Sequence, residues 1–123
     1  MTAAEKLAAI ASFESGADAF DNVFKLPTAA LTYRPFTDAW TIHEHIVHCL
    51  EVDAANFHRY RRAIAQPDTQ VFSFDQSWTA ALDYHHHDLA ASVALIKSLR
   101  KFMAAHLRAL ADREGERAAA AQK

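Results

Sequence analysis

The chain has 123 residues, 51% of them hydrophobic and 23% charged, the size and balance of one folded domain rather than a disordered segment. Two glycines and three prolines argue against a turn-rich all-β architecture, and a formal net charge of -2 gives no basic footprint for nucleic acid. The single cysteine, Cys49, suits a reducing cytosol, and no apolar run or basic leader argues for membrane insertion or export, so a cytoplasmic location is expected.

Helix one opens at Thr2, which forms a capping box with Glu5. Its apolar stripe is Leu7, Ile10, Phe13, Ala17, Phe20 and Phe24, at steps of three and four, and Pro27 ends it. The segment from Pro27 to Trp40 reads as a connection. A second capping box, Thr41 with Glu44, opens helix two, whose stripe runs Ile42, Ile46, Cys49/Leu50, Asp53, Phe57, Tyr60 and Ile64 before Pro67 stops it. Asp53 is the wrong residue for the middle of an apolar face. A buried carboxylate needs a partner, and Arg100 and Arg61 are the candidates by chemistry.

Residues 67–74 form a crossover loop, and Asp75 can cap the helix after it. From Gln76 to about Ala111 neither Gly nor Pro interrupts a stripe of Trp78, Leu82, His85, Leu89, Val93, Ile96, Leu99, Met103, His106 and Leu110, with a break expected near the histidines. Residues 113–123, REGERAAAAQK, read as a polar and alanine-rich tail beyond a domain spanning 1–112. The inventory is three long amphipathic helices, and the fold class is all-α.

Eight histidines are the chemical feature of the chain. His45 and His48 lie about 60° apart on one flank of helix two, whereas His43 points elsewhere. The run His85, His86, His87 fans out by about 100° steps and cannot share one face. Paired imidazoles at i and i+3 are a metal-ligand pattern, although most flank histidines are simply surface residues and no HExxH or CxxC signature is present. His106, on the apolar stripe, reads as a hydrogen-bonded core histidine, Cys49 as a small buried hydrophobe, and Arg59, Arg61 and Arg62 as a solvated cationic helix end. No nucleophilic triad and no glycine-rich phosphate loop can be assembled, so no catalytic residue is assigned.

Between Leu31 and Asp53 the residues LTYRPFTDAWTIHEHIVHCLEVD resemble the opening signature of the DinB/YfiT-like superfamily, through Tyr33, Arg34, Pro35, Trp40 and His48. Asp75, Trp78, Tyr84 and the Leu99–Arg100 pair extend the likeness, which covers roughly Leu7 to Leu110. The resemblance implies an up-down-down-up four-helix bundle whose second and third helices run parallel, joined by a long crossover. It also implies a divalent metal held by three histidines, one on helix two and two from an H-x-x-x-H pair on helix four, and chemistry like that of metal-dependent, thiol-cofactor transferases. The helix-two ligand carries over to His48. No H-x-x-x-H follows Leu110 in these 123 residues, so helix four is expected to be missing or supplied by a partner.

That departure leaves three possibilities. The chain has lost the metal and acts as a non-catalytic dimeric binding or structural module. Alternatively it has rebuilt a zinc or nickel site, with His85 or His86 approaching His45 and His48. In the third, a symmetric partner supplies the missing wall. An uncovered apolar face leads to the expectation of a homodimer packed through helices two and three. Neither nucleic acid nor membrane is expected as a partner, and the small-molecule substrate is not legible.

Overall fold

The computed structural model describes residues 1–68 and 78–121. Residues 69–77, which include most of the expected crossover loop and the expected cap Asp75, lie outside the described residues. Three long helices carry the architecture: α1 (Ala3–Gly16), α3 (Ile42–Ala65) and α5 (Leu89–Ala121). Single-turn helices α2 (Thr28–Leu31) and α4 (Trp78–Ala81) and 3₁₀ segments at Ala17–Lys25 and Tyr84–His86 connect them. No helix among the described residues is long and apolar enough to cross a membrane.

Local chemistry sets each boundary. Thr2 Oγ1 accepts the Glu5 amide at 3.1 Å, which starts α1. At α3 both halves of the capping box are present: Glu44 N–H donates to Thr41 Oγ1 at 3.1 Å, and Thr41 N–H donates to Glu44 Oε1 at 2.9 Å. The helix stops at Ala65, two residues before Pro67, as the proline demands. Asp88 caps α5 by accepting the Ala91 amide at 2.6 Å. Once started, α5 runs unbroken past Asp112 to Ala121, through the alanine-rich residues expected as a tail.

Helix one is not a single α-helix. After Gly16 the chain tightens into a 3₁₀ segment, which places every third residue on one face. Ala17, Phe20 and Val23 therefore point inward together; Val23 is 7% exposed, whereas Phe24, placed on the stripe by a 3.6-residue period, is 51% exposed. A second correction comes at the break before α5. Asp83 adopts the left-handed conformation (φ 51°), and this shifts the register. Tyr84 is then fully buried, while Trp78, Leu82 and His85, expected on the apolar stripe, are exposed.

Side-chain pairs fix the helix directions. Lys6 meets Glu114, Glu14 meets Arg108 and Asp21 meets Lys97, so the α1 limb runs antiparallel to α5. His43 meets His87, Asp53 meets Arg100 and Tyr60 meets His106, so α3 and α5 run parallel, up-down-down in chain order. Both α1 and α3 pack along α5 but scarcely touch each other. The core comprises Ala17, Val23, Ile46, Val93 and Ile96, with Phe20, Leu31, Cys49, Leu50 and Leu89 packed around it.

At the centre, Asp53 has the partner its position demands. Arg100 Nε donates to Asp53 Oδ2 at 2.8 Å, and Nη1 donates to the Phe13 carbonyl at 3.2 Å. The guanidinium also lies 4.9 Å from the centroid of the Phe13 ring. One side chain of α5 thus ties α3 to α1 through a charge pair, a hydrogen bond and a cation–π contact.

Candidate functional site

Because α3 and α5 are parallel, their starts lie at the same end of the bundle. Six of the eight histidines belong to that end: His43, His45 and His48 in the first two turns of α3, and His85, His86 and His87 just before α5.

Trp40, immediately before the Thr41 cap, organises one flank. Its ring centroid lies 5.2 Å from that of His45 and 4.7 Å from that of His48, the latter edge-on. The Trp40–His45 contact joins the residue before the cap to the fourth residue of the helix, the positions of a hydrophobic staple. Arg34 steadies the approach by pairing with Glu44 at 2.6 Å and donating to the Ala39 carbonyl at 2.8 Å. Burial alone would raise the Glu44 carboxyl, but the Arg34 and Thr41 hydrogen bonds and the Arg34 charge outweigh it, and the net shift is downward. Burial, with the charge of His45 adding to it, lowers His48, while Glu51 opposes weakly. The net shift favours the neutral imidazole, the form that binds a metal.

The other flank belongs to the turn before α5. The His43 ring, about 160° round α3 from His45 at 100° per residue, meets the His87 carbonyl at 2.6 Å through Nε2. His87 Nδ1 in turn reaches the Asp83 carbonyl at 3.1 Å, and its ring stands edge-on to buried Tyr84. On the outer side of this turn, one ligand atom from each of Asp83, His85 and His86 lies within 4.8 Å of the others, and all three residues are exposed. The His85 and His86 ring centroids are 3.9 Å apart. The run of three shares no single face, since His87 turns inward against Tyr84; the His85 and His86 side chains nevertheless converge, although a 3₁₀ turn sets neighbours about 120° apart.

The four histidines singled out from the sequence thus fall into two pairs, His45 with His48 beside Trp40, and His85 with His86 beside Asp83. Among the described residues, no three-ligand group contains His45 or His48. Asp83 was not singled out from the sequence; the signal was a carboxylate two residues before a His-His pair, at the point where the helical pattern breaks. Two other readings hold. The His106 Nδ1 lies 3.0 Å from the Tyr60 hydroxyl, and Cys49 is half-buried. Burial, and then the Asp53 charge, pushes the Cys49 thiol up, so it offers no thiolate nucleophile at neutral pH.

A family model for the DinB superfamily matches residues 12–122. The chain belongs to that superfamily. Among curated proteins and among solved structures, nothing matches it. The parallel pairing of α3 with α5 is the arrangement expected of a DinB-like bundle, and the Trp40 and His48 rings are in contact. The three-histidine metal centre is a different matter. No two histidines of this chain are four residues apart, and the one histidine of α5, His106, is engaged with Tyr60. The described residues supply His48 and its neighbour His45 but not the rest of that set, so they do not fit that centre.

Proposed function

We propose that this DinB-superfamily chain is a divalent-metal-binding protein, with zinc or nickel held at the end of the bundle where α3 and α5 begin. His48, His45, His85 and His86 are the imidazoles available there. The observation that carries the reading is the parallel packing of α3 and α5, pinned by the His43–His87 contact at 2.6 Å, which gathers six histidines at one end. Neutral imidazole is the commonest protein ligand for such cations, and the downward shift of His48 favours that form.

Elemental analysis of untagged protein, purified without chelator and then incubated with zinc or nickel, tests the proposal. About one ion per chain is expected for the wild type, and none for a variant in which His45, His48, His85 and His86 are all alanine. A metal-free wild type after incubation overturns it.

A second reading, a homodimeric binding module without catalytic chemistry, has its own support. Phe102 of α5 is 54% exposed and stands 5.8 Å from Phe57 of α3, with Arg61 placed over both rings at 5.0 and 5.7 Å. Ile64 and Leu95 are also exposed. Exposed apolar patches mark interfaces. Light scattering at micromolar concentration decides it: a two-chain mass supports this reading, and a one-chain mass overturns it.

A further inference from the structure

We infer that Asp83, His85 and His86 form a divalent transition-metal site of their own, on the outer side of the turn that leads into α5. The inference rests on the metal-binding reading above and assigns the ion to a set of ligands that excludes His48 and His45.

The donor chemistry is that of borderline cations. Two imidazole nitrogens and one carboxylate oxygen suit zinc and nickel and disfavour calcium and magnesium, which take oxygen ligands. One ligand atom from each residue already lies within 4.8 Å of the other two. Around an ion bound at about 2.0–2.2 Å, neighbouring ligand atoms stand roughly 3.3 Å apart. Small side-chain rotations close that gap without moving the backbone.

Backbone movement is what the turn resists. Tyr84 lies between Asp83 and His85 in sequence and is 0% exposed, so it pins the middle of the turn to the protein interior. His87, the next residue on, holds the Asp83 carbonyl at 3.1 Å through Nδ1, while its own carbonyl meets His43 of α3 at 2.6 Å. The inward side chains alternate in role with the outward ones: Tyr84 and His87 fasten the turn, and Asp83, His85 and His86 are left exposed together on its outer side. Asp83 also occupies the left-handed region at φ 51°, the one non-glycine residue to do so among those described. Such a conformation persists where the surrounding contacts over-determine it. The backbone of the site is thus held, while its three exposed ligand side chains can adjust around an ion. Three protein ligands leave coordination positions free for water or an exogenous ligand.

Titration of the metal-free, full-length chain with zinc, and with cobalt(II) as a spectroscopic reporter of coordination, separates the outcomes. Four proteins are compared: the wild type, His85→Ala/His86→Ala, Asp83→Gly and His45→Ala/His48→Ala. Glycine is chosen at position 83 because it removes the carboxylate while accepting the left-handed backbone. Far-UV circular dichroism verifies that each variant keeps its helices. The expected result is that His85→Ala/His86→Ala and Asp83→Gly each weaken zinc binding by about tenfold or more and alter the cobalt spectrum, while His45→Ala/His48→Ala binds as the wild type does. Zinc bound undiminished by His85→Ala/His86→Ala overturns the inference. If that binding is instead lost in His45→Ala/His48→Ala, the metal-binding reading survives and only the site assignment falls. A wild type that binds neither ion overturns both.

Discussion

Replacing Arg100 with methionine tests the central packing argument most sharply. Methionine keeps an apolar stem of similar reach against Phe13 and Phe20 but removes the guanidinium. Three kinds of contact go with it: the hydrogen bonds to Asp53 at 2.8 and 3.5 Å, the 3.2 Å bond to the Phe13 carbonyl, and the cation–π contacts with Phe13 and Phe20 at 4.9 and 5.8 Å. The last two are worth about 1 kcal/mol each. The dominant cost is the Asp53 carboxylate, 4% exposed and left without its countercharge. Breaking one side of a buried pair costs about 3–5 kcal/mol, and the smaller contributions overlap with that range rather than adding to it. For a chain of this length such a loss lowers the melting temperature by roughly 10–20 °C. Urea unfolding followed by far-UV circular dichroism measures it, with an unchanged m-value confirming that both proteins unfold in the same way. The companion variant Asp53→Leu/Arg100→Met removes both charges and should recover most of the loss, because an apolar pair of similar volume carries no desolvation penalty. A single-variant cost below about 1 kcal/mol, or a double variant no better than the single, refutes the reasoning.

The 3₁₀ register, the α3 cap and the apolar patch each have a test of their own. Val23→Ala should cost roughly 1–3 kcal/mol, and Phe24→Ala less than about 1 kcal/mol despite the larger truncation. The reverse order in denaturant titrations would mean that Ala17–Lys25 winds as an α-helix. Glu44, held below its ordinary value of 4.5, favours the fold while ionised, so its contribution is complete above about 4.5 and disappears as pH falls through the lowered folded value. Thermal unfolding should show Glu44→Gln less stable than the wild type at pH 7, with the gap closing in acid; a gap independent of pH would contradict the Arg34 pairing. Phe102→Lys should convert a two-chain mass in light scattering to a one-chain mass without loss of helicity, because it places a charge in the centre of the exposed aromatic patch. A dimer that survives it is not built on that patch.

Much of this molecule is readable along the chain because its signals are local. A threonine and a glutamate three residues on, as at Thr41 and Glu44, satisfy orphan amides within one turn, and Pro67 forbids helix just before itself; neither depends on what packs nearby. The demand that Asp53 find a cation is local too, since burying a lone carboxylate is prohibitive wherever it occurs. Choosing Arg100 over Arg61 required the fold: Arg61 lies on the same helix and stands over Phe57 and Phe102, whereas parallel packing brings Arg100 from α5 to within 2.8 Å of Asp53.

Where the helical period itself gives way, reading by that period misleads. In the 3₁₀ segment, a three-residue repeat buries Val23 in place of Phe24. At the left-handed Asp83 the stripe loses its phase, so that Tyr84 enters the interior and His85 turns outward beside His86. The candidate site shows the same division. The sequence by itself determined the three amphipathic helices, the Thr2 and Thr41 caps, the stop before Pro67, the buried carboxylate that needs a cation, and the imidazoles at hand, because each arises from chemistry within a few residues. Tertiary structure alone decided which imidazoles meet. The parallel α3 and α5 bring both histidine groups to one end, and the buried Tyr84 with the His43–His87 contact then turns His85 and His86 toward Asp83, a pairing set by anchors 44 residues apart in the chain.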